Sequence, residues 1–192
     1  MQDNNKPTDA QAIESIKTLM KWVGEDPSRE GLIDTPNRFL KAWKNDFFSG
    51  YDEDPVDHLT RTFEEVGEYS SIVILKDIKF SSHCEHHLVP IIGTAHIGYI
   101  PNGRVVGISK LARVLDGYAK RFQVQERLTE QVASAIQEVL QPLAVGVVID
   151  AKHMCIGTRG AFKPASSMVT SSLKGAFFDD PRARQEFFDL IR

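Results

Sequence analysis

The sequence predicts an α+β fold in which helices back an antiparallel sheet. The order of the elements supports this prediction, because helices are followed by two strands, two helices, two more strands and a closing helix. Strands that occur in adjacent pairs favour antiparallel pairing. The length of 192 residues fits one domain with a small appended element, since a typical domain has about 150 residues. We expect an N-terminal helical region over residues 1–70 and a second domain over residues 71–192.

The first 50 residues have helical patterns. Thr8 and Gln11 have the spacing of a capping box. Apolar residues follow at helical intervals, namely Ile13, Ile16, Met20 and Val23. A second helix is predicted to begin with Thr35 as its N-cap and Pro36 in its first turn. Residues 51–70 are acidic and rich in turn formers, which indicates a connection.

The next segments predict a pair of strands followed by a pair of helices. Residues 72–80 and 91–100 are rich in β-branched residues and indicate two strands. Two stretches with apolar faces then predict two helices, one containing Leu111 and Leu115 and the other containing Leu128 and Val132.

The last quarter of the chain predicts two strands and a helix. Residues 144–151 indicate a third strand, and the Ser/Thr-rich chain after Gly160 indicates a fourth strand toward Phe177. Asp180 and Pro181 are predicted to begin the closing helix. This helix completes the predicted antiparallel sheet backed by helices.

Composition and charge exclude several classes of protein. Hydrophobic residues make up 42% and charged residues 26% of the chain, which argues against disorder and low complexity. No apolar run approaches the roughly 18 residues of a membrane span, and the first residues lack a secretory signal pattern, so we expect a cytoplasmic protein that does not bind membranes. The net charge of −3 argues against general nucleic-acid binding. Residues 101–175 nevertheless carry 10 basic and 5 acidic side chains, which indicates a localised anion site.

Two clusters of cysteine and histidine indicate a metal site. The first contains Cys84, His86 and His87, and the second contains His153 and Cys155. Thiolate and imidazole are the ligands that Zn²⁺ prefers, and Cys84 with His87 has the short spacing of many zinc sites. Since His86 and His87 are adjacent, one can bind a metal while the other faces a substrate. If residues 153–155 are extended, His153 and Cys155 point to the same side.

Two kinds of metal site fit these residues. A lone cysteine is usually a small buried hydrophobe, but both cysteines of this chain lie beside histidines, which favours metal binding. A closed structural site would use Cys84, His87, His153 and Cys155. An open site with three ligands would be catalytic, because it keeps a position for a water whose pKa the metal lowers to about 7. The spacing alone leaves both open.

A second group of residues indicates an anion site with two interpretations. Ser109, Lys110 and Arg113 lie at the start of a predicted helix, where free N–H groups and the positive end of the helix dipole suit a phosphate. Arg159 can add a third cation. The same residues can equally form a solvated polar face. Glu126, at the start of the other paired helix, either compensates the helix dipole or accepts the paired N–H donors on the edge of a base such as guanine.

These motifs resemble the GTP cyclohydrolase I family in their order and approximate spacing. The resemblance covers residues 80–178, and the two N-terminal helices also fit. The motifs that carry it are Cys84–His87, Gly98–Pro101, Gly107–Arg113, Gln123–Thr129, His153-x-Cys155 and Arg159-Gly160. The resemblance implies the tunnelling fold, with residues 71–192 as the catalytic domain.

The resemblance also implies a reaction and a role for each site residue. It implies hydrolytic opening of the imidazole ring of GTP, which gives 7,8-dihydroneopterin triphosphate and formate. It implies a homodecamer with active sites between subunits. The implied roles are Zn²⁺ binding by Cys84, His87 and Cys155, acid/base chemistry by His86 and His153, guanine binding by Gln125 and Glu126, and ribose-triphosphate binding by Ser109, Lys110, Arg113 and Arg159.

Two other functions compete with this interpretation. Another enzyme with the tunnelling fold, such as a pterin synthase or a nitrile reductase, is disfavoured because the chain combines Cys-Glu-His-His with His-x-Cys. A zinc-stabilised nucleotide-binding module would have the same ligands without turnover. Release of formate from GTP separates an enzyme from such a module.

Overall fold

The computed structural model describes residues 6–63 and 69–192. The chain forms two compact units, divided between Ser49 and Gly50. The predicted division at residue 70 into a helical region and a catalytic domain stays a prediction. No helix of the described residues is long and apolar enough to cross a membrane.

The described part of the first unit contains the helices α1 (Asp9–Trp22) and α2 (Thr35–Ala42), and a π-helical turn (Trp43–Phe47) follows α2. The predicted capping box is confirmed, because the Thr8 side chain accepts from the Gln11 backbone N–H and the Gln11 side chain accepts from the Thr8 backbone N–H. The predicted N-cap of α2 is wrong, since Asp34 precedes the helix and Thr35 is already its first residue. Pro36 still lies in the first turn, where its missing N–H has no partner to lose.

The second unit contains the sheet and the remaining helices. Its strands are β1 (Thr62–Phe63), β2 (Val73–Cys84), β3 (Pro90–Ile100), β4 (Val105–Val106), β5 (Phe122–Gln123), β6 (Ala144–His153) and β7 (Met168–Gly175). Its helices are α3 (Ile108–Ala119), α4 (Gln125–Leu140), α5 (Met154–Gly157), α6 (Ala176–Asp179) and α7 (Pro181–Ile191). The predicted α+β class is therefore confirmed.

The main sheet has the strand order β5-β2-β3-β6-β7. The pairs β2–β3, β3–β6 and β6–β7 are antiparallel, whereas β5 lies parallel to β2. Strands β2 and β6 continue beyond their predicted ends, because His83 still pairs with Pro90 and His153 still pairs with Ile91. These extensions bring both cysteine–histidine clusters to the same end of the sheet.

Two hydrophobic cores lie on opposite faces of the sheet. On one face, α3 and α4 bury Leu111 and Ile136 against alternate residues of the central strands, such as Val147. On the other face, the buried ring of Phe187 in α7 lies over Gly98 and Gly146, which face each other across β3 and β6. A Cβ at either glycine would lie 2.8 Å from the ring, so this close packing requires glycine at both positions.

Candidate active site

A tight turn between β2 and β3 carries the first cysteine–histidine cluster. The Cys84 N–H donates to the Val89 carbonyl, and the Leu88 N–H donates to the Cys84 carbonyl, each over 2.9 Å. Leu88 adopts a left-handed conformation with φ of 58°. Cys84 is buried at the end of β2, while residues 85–88 are exposed. We call residues 85–88 the ligand turn.

Cys155 follows strand β6, which only β3 separates from β2. Residues 153–155 do not meet the condition of being extended, because β6 ends at His153 and Cys155 lies in the helical turn α5. A hydrogen bond of 3.0 Å from the Thr158 N–H to the Met154 carbonyl closes that turn. The turn redirects the chain, so that Cys155 lies beside the cysteine at the end of β2.

Cys84, His87 and Cys155 form the metal-binding cluster. One ligand atom from each residue lies within 4.8 Å of the other two, and the Cys84 Sγ lies 3.8 Å from the His87 Nδ1. Tetrahedral Zn²⁺ with ordinary bond lengths would place such a sulfur and nitrogen about 3.6 Å apart. The cluster can therefore hold a metal ion with little movement. His153 is not a member, which favours the open form of the site over the closed one.

The chemistry of the two thiols also fits a cation. Burial raises the pKa of the Cys155 thiol, and the neighbouring Cys84 sulfur raises it further. Two thiolates at this separation repel each other unless a positive charge lies between them. A bound divalent cation removes that repulsion and stabilises both thiolates, so the site favours a metal that binds sulfur.

His153 has a defined orientation beside the cluster. Its Nε2 lies 2.7 Å from the Oε1 of Gln125, whose side chain is buried. The Gln125 amide nitrogen faces three acceptors, the carbonyls of Ile149 and Met168 and the Thr170 hydroxyl, at 2.8 to 3.1 Å. This network assigns the amide oxygen to the side of the imidazole, so His153 donates from Nε2 and its Nδ1 carries the lone pair.

The electrostatic environment of His153 contains two opposing effects. Burial lowers the pKa of the imidazole, and the Glu126 carboxylate partly opposes that shift. Glu126 is exposed in the first turn of α4, next to the buried Gln125. The structure thus places the predicted base-recognition residue close enough to His153 to influence its charge.

His86 and His87 point in different directions. Their ring centroids are 6.2 Å apart and the ring planes differ by 83°. His87 contributes to the metal-binding cluster, whereas the side chain of His86 is 64% exposed. His86 Nε2 lies 3.8 Å from the Glu85 carboxylate, so it is outside the cluster, and the expected division between one metal ligand and one other imidazole is compatible with the geometry.

Three of the four predicted anion-binding residues are exposed, and Lys110 is half-buried. Ser109, Lys110 and Arg113 are in the first two turns of α3, and the Lys110 N–H donates to the Gly107 carbonyl over 2.8 Å. Arg159 is exposed in the loop after α5. Within residues 6–63 and 69–192, no carboxylate forms an ion pair with Lys110, Arg113 or Arg159. These three cations are thus available to an anionic ligand.

The chain is similar to known proteins over nearly its whole length. Residues 12–192 match the GTP cyclohydrolase I family. A GTP cyclohydrolase 1 from Sinorhizobium fredii is 50% identical over 189 residues, which cover 98% of this chain and 92% of that protein. The chain belongs to the GTP cyclohydrolase I family. A second GTP cyclohydrolase 1, from Brucella abortus, is 49% identical over 189 residues, covering 98% of this chain and 88% of the relative.

Family membership confirms the predicted enzyme class and fold. The helix-backed antiparallel sheet is the tunnelling fold expected for GTP cyclohydrolase I. Among solved structures, the apo archaeosine synthase QueF-Like has a TM-score of 0.46 and 20% identity, over 55% of this chain and 94% of that chain. The competing assignment to a pterin synthase or a nitrile reductase is set aside by the matches to GTP cyclohydrolase I.

Sequence reasoning missed a hydrogen-bond network between the ligand turn and α4. Arg127 in α4 forms an ion pair with Glu85 of the ligand turn. Its Nε donates to the Gln123 side chain and its Nη2 to the Phe122 carbonyl, each over 3.1 Å. The Glu85 N–H also donates to the Gln123 carbonyl over 3.1 Å. All four residues lie in or beside the family motifs, but spacing alone does not show that they meet.

Proposed function

We propose that this chain converts GTP and water to 7,8-dihydroneopterin triphosphate and formate, with Zn²⁺ bound by Cys84, His87 and Cys155. The convergence of these three ligand atoms within 4.8 Å carries the proposal, because three protein ligands would leave the fourth position of a tetrahedral ion for water. Membership of the GTP cyclohydrolase I family supports the choice of reaction. The tetrahedral preference of Zn²⁺ and its affinity for thiolate support the choice of metal.

The bound Zn²⁺ supplies a Lewis acid and a water of lowered pKa at the open position. The chain contributes the proton transfers. His86 is exposed and free of metal, so it can protonate a purine nitrogen as the ring opens. His153 is held through Nε2 by Gln125, which leaves Nδ1 to accept and return a proton while the ribose opens.

Glu126 is the residue we propose for guanine recognition. Its two carboxylate oxygens can accept the two adjacent N–H donors on the pyrimidine edge of guanine. The family resemblance implies that Gln125 also binds guanine, and this stays a prediction. Both amide hydrogens of Gln125 have acceptors within the chain, so Glu126 offers the exposed acceptor pair.

Ser109, Lys110, Arg113 and Arg159 are proposed to bind the ribose triphosphate. The argument is electrostatic, because residues 101–175 have an excess of basic side chains and the three cations have no ion-pair partner among the described residues. The start of α3 adds backbone N–H groups and the positive end of a helix dipole. A triphosphate would neutralise these charges.

We further propose a cytoplasmic homodecamer whose active sites lie between subunits. Several apolar side chains next to site residues are exposed on the single chain, namely Leu88, Ile108, Ile156 and Phe162. A second subunit over these side chains would remove them from water and complete the site. Sedimentation of the active species tests this assembly, and full activity in a monomer would contradict it.

Incubation of the purified, zinc-loaded protein with GTP tests the reaction. We expect one formate per GTP consumed and, after oxidation, a fluorescent pterin. ATP is the matched control and should give neither product. Tight GTP binding without formate would instead identify a nucleotide-binding module.

A further inference from the structure

We propose that Arg127 is a positioning residue for the metal site: through its ion pair with Glu85 it holds the ligand turn, and thereby His87, in the conformation that binds Zn²⁺. The inference rests on the proposed function for the identity of the metal. It assigns a role to Glu85, which lies between the metal ligand Cys84 and the exposed His86. Neither Arg127 nor Glu85 is itself a ligand.

The ligand turn has little of its own packing to hold it. Residues 85–88 are all exposed, in contrast to Cys84, which is buried in the strand. Leu88 has a positive φ of 58°, which a residue with a side chain rarely adopts. His87 is therefore the ligand whose position depends most on contacts made by the turn.

Arg127 supplies such a contact, and its own position is fixed by α4 and by the residues of β5. It lies in the first turn of α4, and its guanidinium group donates to the Gln123 Oε1 and the Phe122 carbonyl as well as to Glu85. Gln123 is only 2% exposed, and its amide nitrogen donates to the Tyr118 carbonyl over 2.9 Å. The guanidinium is thus fixed on one side by buried structure and bound on the other side to the ligand turn.

The backbone makes a parallel connection at the same place. The Glu85 N–H donates to the Gln123 carbonyl, and Cys84 pairs with Gln123 where β5 lies beside β2. The side chain and backbone of Glu85 are consequently attached to the same short strand. This double attachment orients the start of the ligand turn, two residues before His87.

Arginine is required because one side chain must satisfy several acceptors in different directions. Its planar guanidinium presents five N–H donors in a fixed arrangement, whereas a lysine ammonium is a flexible point charge. Arg127→Lys keeps the positive charge and loses this arrangement. Glu85→Gln keeps an acceptor and the size of the side chain and loses the negative charge.

The competing interpretation is an ordinary surface ion pair. The side chains of Arg127 and Glu85 are 43% and 34% exposed, and pairs of this kind often contribute little to stability. The chain contains a matched control on the same helix, the ion pair between Glu130 and Lys174, whose side chains are 56% and 24% exposed. That pair joins α4 to β7 and does not touch the ligand turn.

Zinc affinity measured on the full-length protein distinguishes the two interpretations. The metal-free protein is titrated with Zn²⁺ in competition with a chromophoric chelator, and thermal unfolding of each variant is recorded in parallel. We expect Arg127→Lys and Glu85→Gln each to weaken Zn²⁺ binding by about tenfold, the lower end of the loss that follows removal of groups that orient metal ligands. Lys174→Gln should bind Zn²⁺ like the wild type.

The double variant tests whether Arg127 and Glu85 act together. If they do, Arg127→Lys combined with Glu85→Gln should weaken Zn²⁺ binding no more than the stronger single variant. Folded variants with wild-type Zn²⁺ affinity would overturn the proposal, as would an equal loss in Lys174→Gln. Because the readout is metal binding, failure of the wild type to release formate would refute the proposed reaction without deciding this inference.

Discussion

The metal-binding cluster differs from the three proposed phosphate-binding cations Lys110, Arg113 and Arg159, which we call the cation group, in how closely the fold brings its members together. Cys84, His87 and Cys155 converge within 4.8 Å by themselves. Lys110 is half-buried and Arg113 is exposed, and neither has an ion-pair partner among the described residues. Backbone pairing builds the first site, whereas the second consists of charges for which a ligand is only proposed.

Sheet topology explains why the metal ligands meet. Strands β2 and β6 are both antiparallel to β3, so they run in the same direction and their C-terminal residues lie at the same end of the sheet. Cys84 is the last residue of β2, and Cys155 follows the end of β6 by two residues. Only β3 separates the two strands, and the ligand turn and α5 close that gap.

Removal of a metal ligand should have the largest effect, because it breaks the preorganised site. Cys155→Ala leaves two ligands, and we expect loss of stoichiometric Zn²⁺ together with more than a thousandfold loss of formate release. Cys84→Ala and His87→Ala should behave alike. Metal analysis of the purified variants measures the first effect and the formate assay the second. Full zinc occupancy in Cys155→Ala would contradict the ligand assignment.

Substitution of the neighbouring histidine should separate metal binding from proton transfer. His153→Ala should keep Zn²⁺, because His153 is bound to Gln125 and lies outside the cluster. Its kcat should fall by roughly 10²- to 10⁴-fold, the usual contribution of a general acid or base. His86→Ala should show the same division. Loss of metal from either variant would mean that the ligand and the proton-transfer residue have been exchanged.

The sequence predicts which residues could bind the metal better than it predicts how they come together. The ligand identities follow from the chemistry of Cys and His and from the family resemblance, and the structure brings the same three residues together. Their approach depends on β2 and β6 extending to Cys84 and His153, which strand propensity does not show because these end residues are not β-branched. The sequence does not reveal the turn at α5 either, because its four residues are too few to show helical periodicity.

Contacts between distant side chains are the least predictable part of the site. Gln125 and Thr170 are 45 residues apart, yet both belong to the network that orients His153. Strand β5 has two residues and pairs parallel to β2, so no pattern in the sequence reveals that Gln123 lies beside Cys84. Such contacts follow from tertiary packing, and local sequence signals carry no trace of them.

Base selectivity should depend on Glu126, with an intermediate effect. Adenine presents an acceptor nitrogen where guanine presents an N–H donor, and this mismatch against a carboxylate costs a few kcal/mol, or about a hundredfold in kcat/KM. The wild type should therefore reject ATP, and Glu126→Gln should lose about a hundredfold in kcat/KM for GTP while keeping Zn²⁺. Normal turnover of GTP by Glu126→Gln with only a lower Tm would identify the carboxylate as a helix-dipole partner.

The smallest expected effect concerns the cation group, and it tests whether a ligand completes that region. Each of the three cations should add about tenfold to GTP affinity, because a charge-assisted bond to phosphate is partly screened by water. Lys110→Gln, Arg113→Gln and Arg159→Gln should each raise the KM for GTP by about that factor and leave binding of guanosine unchanged.

Raising the salt concentration should reduce the wild-type preference for GTP over guanosine, since the Debye length shortens from about 10 Å at 0.1 M to about 3 Å at 1 M. Lys174→Gln removes a charge that already has a carboxylate partner, so its KM should stay at the wild-type value. Equal affinity of the wild type for GTP and guanosine at moderate salt would show that the residues at the start of α3 form only a solvated face.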